Sequence, residues 1–161
     1  MARHESDRED ILREATALVV RAELSVPGES EPVVVGFRRD GAASIFFGGD
    51  PVYQFNTAGE LRRAYVGGLL YKAQHGRLVE LNRQRSEEAV VLLSRELLPE
   101  ECDAFLEQAR HRIAGLARAV ADSTAVVQRQ VPAGGNVGVR IRAWLDQMPS
   151  QMAVARSPRV G

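Results

Sequence analysis

Three cationic side chains, Arg63, Lys72 and Arg77, stand where a small sheet can gather them. Gly67-Gly68 joins the β-favouring runs AYV and LLY, and His75-Gly76 joins LYKA to RLVEL. Such dipeptides suit two-residue hairpin turns, whose central residues need positive φ. With Gly67-Gly68 as a turn, Val66 faces Leu69, Tyr65 faces Leu70, Ala64 faces Tyr71 and Arg63 faces Lys72. With His75-Gly76 as another, Gln74 faces Arg77 and Lys72 faces Val79. Directly opposed residues share a face of the sheet. Arg63, Lys72 and Arg77 are therefore predicted on one face at one end, with Tyr65, Leu70, Val79 and Leu81 filling the other end. Opposed like charges cost a few tenths to about 1 kcal/mol unless something negative lies between them. Glu60, Glu80, an acid from a helix or plain solvent would relieve the repulsion. The functional reading is an anion site for a phosphate, a nucleic-acid backbone or an acidic partner. A three-residue turn at Gln74 would dissolve the cluster.

Other residue types capable of chemistry form no constellation. His4, His75 and His111 fall in a terminus, a turn and a helix, and none has a second ligand at metal spacing. Cys102 stands near a predicted helix start, but it has no evident base and reads as a core residue. Asp40, Asp50 and Glu60 lie near turns, and turn chemistry accounts for the two aspartates without catalysis. The run AGGNVG lacks the Lys-Ser/Thr of a phosphate loop. No cofactor and no metal are expected.

Composition bounds the answer. The chain has 161 residues, 45% hydrophobic and 26% charged, as in an ordinary globular protein. Its start, MARHESDRED, is not a secretory signal, and no apolar run approaches the ~20 residues of a membrane span. The single Cys102 excludes an internal disulfide, so a reduced, cytoplasmic setting is expected. Formal net charge is zero but unevenly spread. Residues 32–86 carry eight basic against four acidic side chains, and residues 126–161 carry five arginines against Asp146 alone. The flanking segments 1–31 and 87–125 each carry four basic against eight acidic residues. Attraction between acidic helices and a basic sheet explains this, as does a basic surface for an anionic partner.

The elements follow from period and punctuation. Ser6 with Glu9 forms a capping box for a helix from Asp7 to about Ala15. Alternation then predicts strands at 17–24, 33–39, 43–48, 52–56, 60–66, 69–73 and 77–84. Seven of the nine aromatic residues lie between Phe37 and Tyr71, as a small antiparallel sheet needs for its core. The segment 88–96 reads as an eighth strand, with a helix from Ser86 as its competitor. Pro99 suits a first helical turn, and Cys102, Phe105, Leu106, Ala109, Ile113, Leu116, Ala117 and Val120 define one face of a helix over 99–121. Phe105 and Leu106 are expected to anchor that helix on the sheet. Beyond Asp122 the pattern weakens. VPAGGNVG reads as a flexible joint, and Asn136 begins a short helix over 137–148 whose face is Val137, Ile141, Trp144, Leu145 and Met148, and this face should dock on the domain or on a second chain. Residues 149–161 show no pattern and read as a loose end, dispensable for folding.

The expected fold is α+β: a meander of seven to eight antiparallel strands, a short N-terminal helix, and one long C-terminal helix across the sheet. Residues 1–122 form the domain, and 123–161 a C-terminal extension. The element order resembles the pleckstrin-homology-like roll, and that resemblance implies a curled sheet and no particular ligand. Tyr53 through Gly59 to Leu61, and Tyr71 through Gly76 to Leu78, resemble the tyrosine-rich hairpin repeats of large secreted toxins. With two copies of unequal loop length and no Tyr-Asp pair, they read as two ordinary hairpins.

Two function classes remain. The favoured one is a non-catalytic binding or adaptor module. Its partner would be a protein or a second copy of the chain, met through Trp144, Ile141 and Leu145 or a sheet edge. Alternatively it would be a nucleic acid or other anion, bound weakly through Arg63, Lys72 and Arg77. The other class is a small enzyme whose site is assembled from residues distant in the sequence. No membrane is expected as a partner.

Overall fold

Eight runs of alternating or β-rich sequence pair in the order in which they are made, and one more strand closes the far edge. The computed structural model describes residues 9–48, 50–85, 90–122, 126–133 and 136–156. The strands are β1 (Leu18–Ser25), β2 (Val33–Arg38), β3 (Ala43–Phe47), β4 (Val52–Phe55), β5 (Leu61–Val66), β6 (Leu69–Gln74), β7 (Arg77–Arg85), β8 (Val90–Glu96) and β9 (Val126–Val131). They form one antiparallel sheet in the order β8-β7-β6-β5-β4-β3-β2-β1-β9. Because β8 and β9 are opposite edges, the sheet is open and not a closed roll. The curled roll implied by element order is corrected here. The eighth strand forms as expected, and the capping pair Ser6 and Glu9 has its Ser6 outside the described residues.

The helix α1 (Pro99–Ala121) explains how one chain reaches both edges. Its 23 residues span about 34 Å at 1.5 Å per residue. Eight inter-strand spacings of ~4.8 Å make a sheet about 38 Å wide. The helix thus carries the chain from the β8 edge to the β1 edge, where β9 pairs with β1. Pro99 opens the helix, and Glu101 accepts the Leu98 N–H at 2.8 Å, half of a capping box. The second helix, α2 (Val137–Gln151), packs beside α1. It runs two residues past Pro149, where the sequence suggested a stop, because Met148 and Met152 are both buried.

One face of the sheet carries the main core. Val33, Val35, Ile45, Phe55, Leu61 and Leu78 pack there under Leu106, Ala109 and Ile113 of α1 and Ile141, Leu145 and Met148 of α2. The predicted extension beyond residue 122 therefore belongs to the same sheet and core. The predicted loose end is also corrected for residues 152–155. Met152, Val154 and Ala155 are buried, and Val154 bridges Leu61 of β5. Leu61 N–H donates to Ala153 O at 2.7 Å, Ala155 N–H to Leu61 O at 2.8 Å, and Gly76 N–H to Ala155 O at 3.0 Å. The remainder of that predicted end, 157–161, lies outside the described residues.

The other face has two neighbouring rows. Phe46, Val52, Tyr65 and Leu70 form an apolar row, covered by Ile11 and Leu18 with Leu12 and Ala15 beside them. Residues 9–13 are helical and tighten into a 3₁₀ turn over Glu14–Ala17. The next row is polar and crosses the sheet by direct pairing: Arg21, Gly36, Ser44, Gln54, Arg63 and Lys72.

Candidate functional site

The two hairpins form in the predicted register. Arg63 pairs with Lys72, Tyr65 with Leu70, Lys72 with Val79 and Gln74 with Arg77. Both turns take left-handed conformations, with φ of 62° and 82° at Gly67 and Gly68, and 53° and 82° at His75 and Gly76. Asp50 fixes the first turn by accepting Gly67 N–H at 3.0 Å and Gly68 N–H at 3.1 Å.

Register does not make Arg63, Lys72 and Arg77 one site, because each has different surroundings. Arg63 donates to Gln54 Oε1 at 2.5 Å and lies 3.9 Å from Glu14, an acid from the N-terminal segment. Burial, and secondly the neighbouring Arg62 guanidinium, lower its pKa, while Glu14 raises it. Lys72 is exposed on the middle strand of the three and forms no ion pair among the described residues. Arg77, at the turn end, pairs with Glu96 at 3.0 Å across an exposed surface and lines a cleft.

That cleft, of about 510 Å³, is the candidate site. Three elements build it. The β6–β7 turn supplies His75, Gly76 and Arg77, the first turns of α1 supply Cys102, Asp103, Leu106 and Arg110, and the terminal strap supplies Met152, Val154 and Arg156. The turn and strap are joined through Gly76 N–H and Ala155 O. Helix and strap are joined where Arg110 donates to Met152 O at 3.3 Å. His75, Arg77, Asp103, Arg110 and Arg156 line the cleft together, with the Arg77 guanidinium turned to Glu96 on the Lys72 face of the sheet. Arg110 also pairs with Glu107 at 3.2 Å, and Arg156 is exposed with no ion pair among the described residues. The arrangement can hold a small anion against a wall of apolar side chains.

The remaining candidates are placed individually. Cys102 is buried in the cleft wall, where its Sγ accepts Leu78 N–H at 3.5 Å. His111 is exposed on α1, 3.3 Å from Glu107, and His4 lies outside the described residues. Asp40, Asp50 and Glu60 serve three separate turns: Asp40 accepts Ala42 N–H, Asp50 holds the β5–β6 turn, and Glu60 accepts from Asn56. Among the described residues no His, Cys, Asp and Glu group has the geometry to hold a metal. No described helix is long and apolar enough to cross a membrane.

The helix face expected to dock on the domain or on a second chain packs on the domain. Ile141 and Leu145 are buried in the main core. Trp144 stacks edge-on against Phe37 at 5.9 Å and Phe55 at 5.4 Å. The reason is that β9 returns the chain to the β1 edge and seats α2 on the sheet. The sequence reading missed Arg110 and Arg156 as site residues. No local signal marks them, since they meet only because the strap crosses the β6–β7 turn. The chain matches no family model, no curated protein and no solved structure.

Proposed function

We propose that this chain is a binding module for a small anionic ligand, carrying a phosphate or carboxylate group, taken up in the cleft between the β6–β7 turn, α1 and the strap. One observation carries the reading: Arg110 and Arg156 line a single cleft with His75 and the backbone of the β6–β7 turn, and Arg156 has no ion pair among the described residues. A volume of about 510 Å³ suits a small molecule, whose pockets run from about 300 to 1,000 Å³. Guanidinium groups suit this chemistry because their planar donors match carboxylate and phosphate oxygens two at a time.

The test is calorimetric titration of the protein with inorganic pyrophosphate and with citrate at two salt concentrations. Saturable binding is expected, weakening with salt, and lost in R77A/R156A while the melting temperature stays near wild type. Both side chains are exposed, so the variant should fold. No saturable heat with either anion, or equal binding by the double variant, overturns the reading. Binding confined to a long oligonucleotide, with a steep salt slope, would replace the small ligand with a nucleic-acid backbone.

A further inference from the structure

On the face of the sheet away from α1, a second group of arginines surrounds a carboxylate. Glu14 Oε1 lies 2.5 Å from Arg62 Nη2, 3.5 Å from Arg38 Nη1 and 3.9 Å from Arg63 Nη2. The Ser44 hydroxyl donates to its other oxygen. Asp40 takes up Arg38 from outside, at 2.7 Å. Among the described residues Glu14 is the carboxylate at ion-pair distance from Arg62 and Arg63, whose side chains are only 14% and 23% exposed, and Asp10 acts on Arg63 from farther away.

Consecutive strand residues normally point to opposite faces. Here Arg63 pairs with Gln54 and Leu61 with Phe55, so Arg62 is an extra residue in a β-bulge. The bulge brings Arg62 beside Arg63 at Glu14 instead of sending it toward the main core. Bulges recur where a side chain must be re-aimed beside a site. The floor is polar and closed: Ser44 and Gln54 are fully buried, and Gly36 adjoins Ser44 in the same row. A Cβ at Gly36 would stand 2.7 Å from Arg21 Cβ.

Besides Glu14 itself, the segment that supplies it rests on few contacts. Its 3₁₀ turn contains no buried residue, and Ile11 is the buried anchor of the helical residues before it. Two side-chain bonds hold its carbonyls, Gln54 to Ile11 O at 3.3 Å and Arg21 to Ala15 O at 3.2 Å. Arg21 Nε beside it is buried with no partner.

We infer that Arg38, Arg62, Arg63 and Ser44 form a second anion site, for the phosphate group of a free phosphate or a phosphate monoester, which Glu14 fills in cis. A tetrahedral dianion supplies the second negative charge that a carboxylate lacks and more acceptor oxygens for three guanidiniums and a hydroxyl. Displacing residues 9–17 would open the site, and phosphate and Glu14 would compete for it.

The inference is independent of the cleft, which lies at another part of the molecule. Its test uses R77A/R156A as the parent, so that the cleft does not contribute. E14A is introduced, and melting temperature is followed against inorganic phosphate, and separately phosphoserine, with chloride at matched ionic strength. E14A is expected to melt below its parent, to be restored saturably by phosphate, and to bind phosphate at least ten-fold more tightly than its parent. Adding R62A should abolish the restoration. Response to phosphate alone indicates the free anion as ligand, and response to both admits the monoester. If E14A does not fold, E14Q, nearly the same shape without the charge, is measured in its place. A variant that gains no more from phosphate than from chloride, or that keeps its gain in R62A, overturns the inference.

Discussion

Leu106 and Phe105 show what neighbouring residues on one helix contribute to different parts of the fold. Leu106 is buried in the main core, whereas Phe105 lies half-buried against Tyr71, with ring centres 4.7 Å apart. Leu106→Ala should cost about 2–5 kcal/mol in chemical denaturation, and Phe105→Ala should perturb the Tyr71 environment as well. An unchanged denaturation midpoint for Leu106→Ala would show that the face of α1 is misassigned. Tyr71 also donates to Glu80 at 3.2 Å, and burial first, then Glu80, pushes its phenol pKa up to about 12. Burial does the same to Tyr53, again to about 12. Both phenols hold their protons more tightly in the folded chain than the ordinary value near 10. Their stabilisation is therefore present below pH ~10 and is lost as pH rises toward 12. Ultraviolet titration should show the two steps assigned by Tyr53→Phe and Tyr71→Phe arriving late, together with unfolding. Steps near pH 10 in the native protein would refute that environment.

Among the elements, the terminal strap most changes the sequence-based expectation. A chain ended after Gln151 loses the burial of Met152 and Val154, worth about 1.5–3 kcal/mol each, and the backbone bonds to Leu61 and Gly76. The truncated protein should melt well below the full chain and lose pyrophosphate binding, since Arg156 goes with it. A melting temperature equal to that of the full chain would show that the strap is only laid on the surface. The strap has no amphipathic period because it is a single parallel bridge, too short to repeat. The bulge at Arg62 is likewise silent in the sequence. LRRAYV reads as a plain alternating strand, and only pairing against the shorter β4 exposes the extra residue.

For the whole molecule, acid stability should depend on carboxylates that hold structure together. Ala42 N–H, and then Arg38, depress the Asp40 pKa, while Leu98 N–H, and then Arg95, depress that of Glu101. Each group stabilises the fold fully above its ordinary carboxylate pKa, and that contribution is lost as pH falls through the depressed value. Asp40→Asn and Glu101→Gln should each flatten the acid limb of a melting-temperature profile and leave its alkaline limb unchanged. If either variant keeps the parental acid limb, the corresponding carboxylate does not gain its bonds on folding.

Hairpin register and the long helix were legible in the sequence because both are local. Gly67-Gly68 and His75-Gly76 fix which residues oppose one another within a few positions, and the spacing from Cys102 to Val120 fixes one helical face. The α+β class, the β1–β8 meander and the opposition of Arg63 and Lys72 follow from those local rules. What tertiary structure decided is which charges remain available. Glu14, far from Arg63 in the chain, enters its surroundings only when the N-terminal segment folds over the sheet. Arg110 and Arg156 join His75 and Arg77 only when the strap crosses the turn, and Trp144 is covered only because α1 carries the chain across the sheet to β9. A two-residue turn states its own geometry, but a charge takes its meaning from neighbours that the sequence does not place.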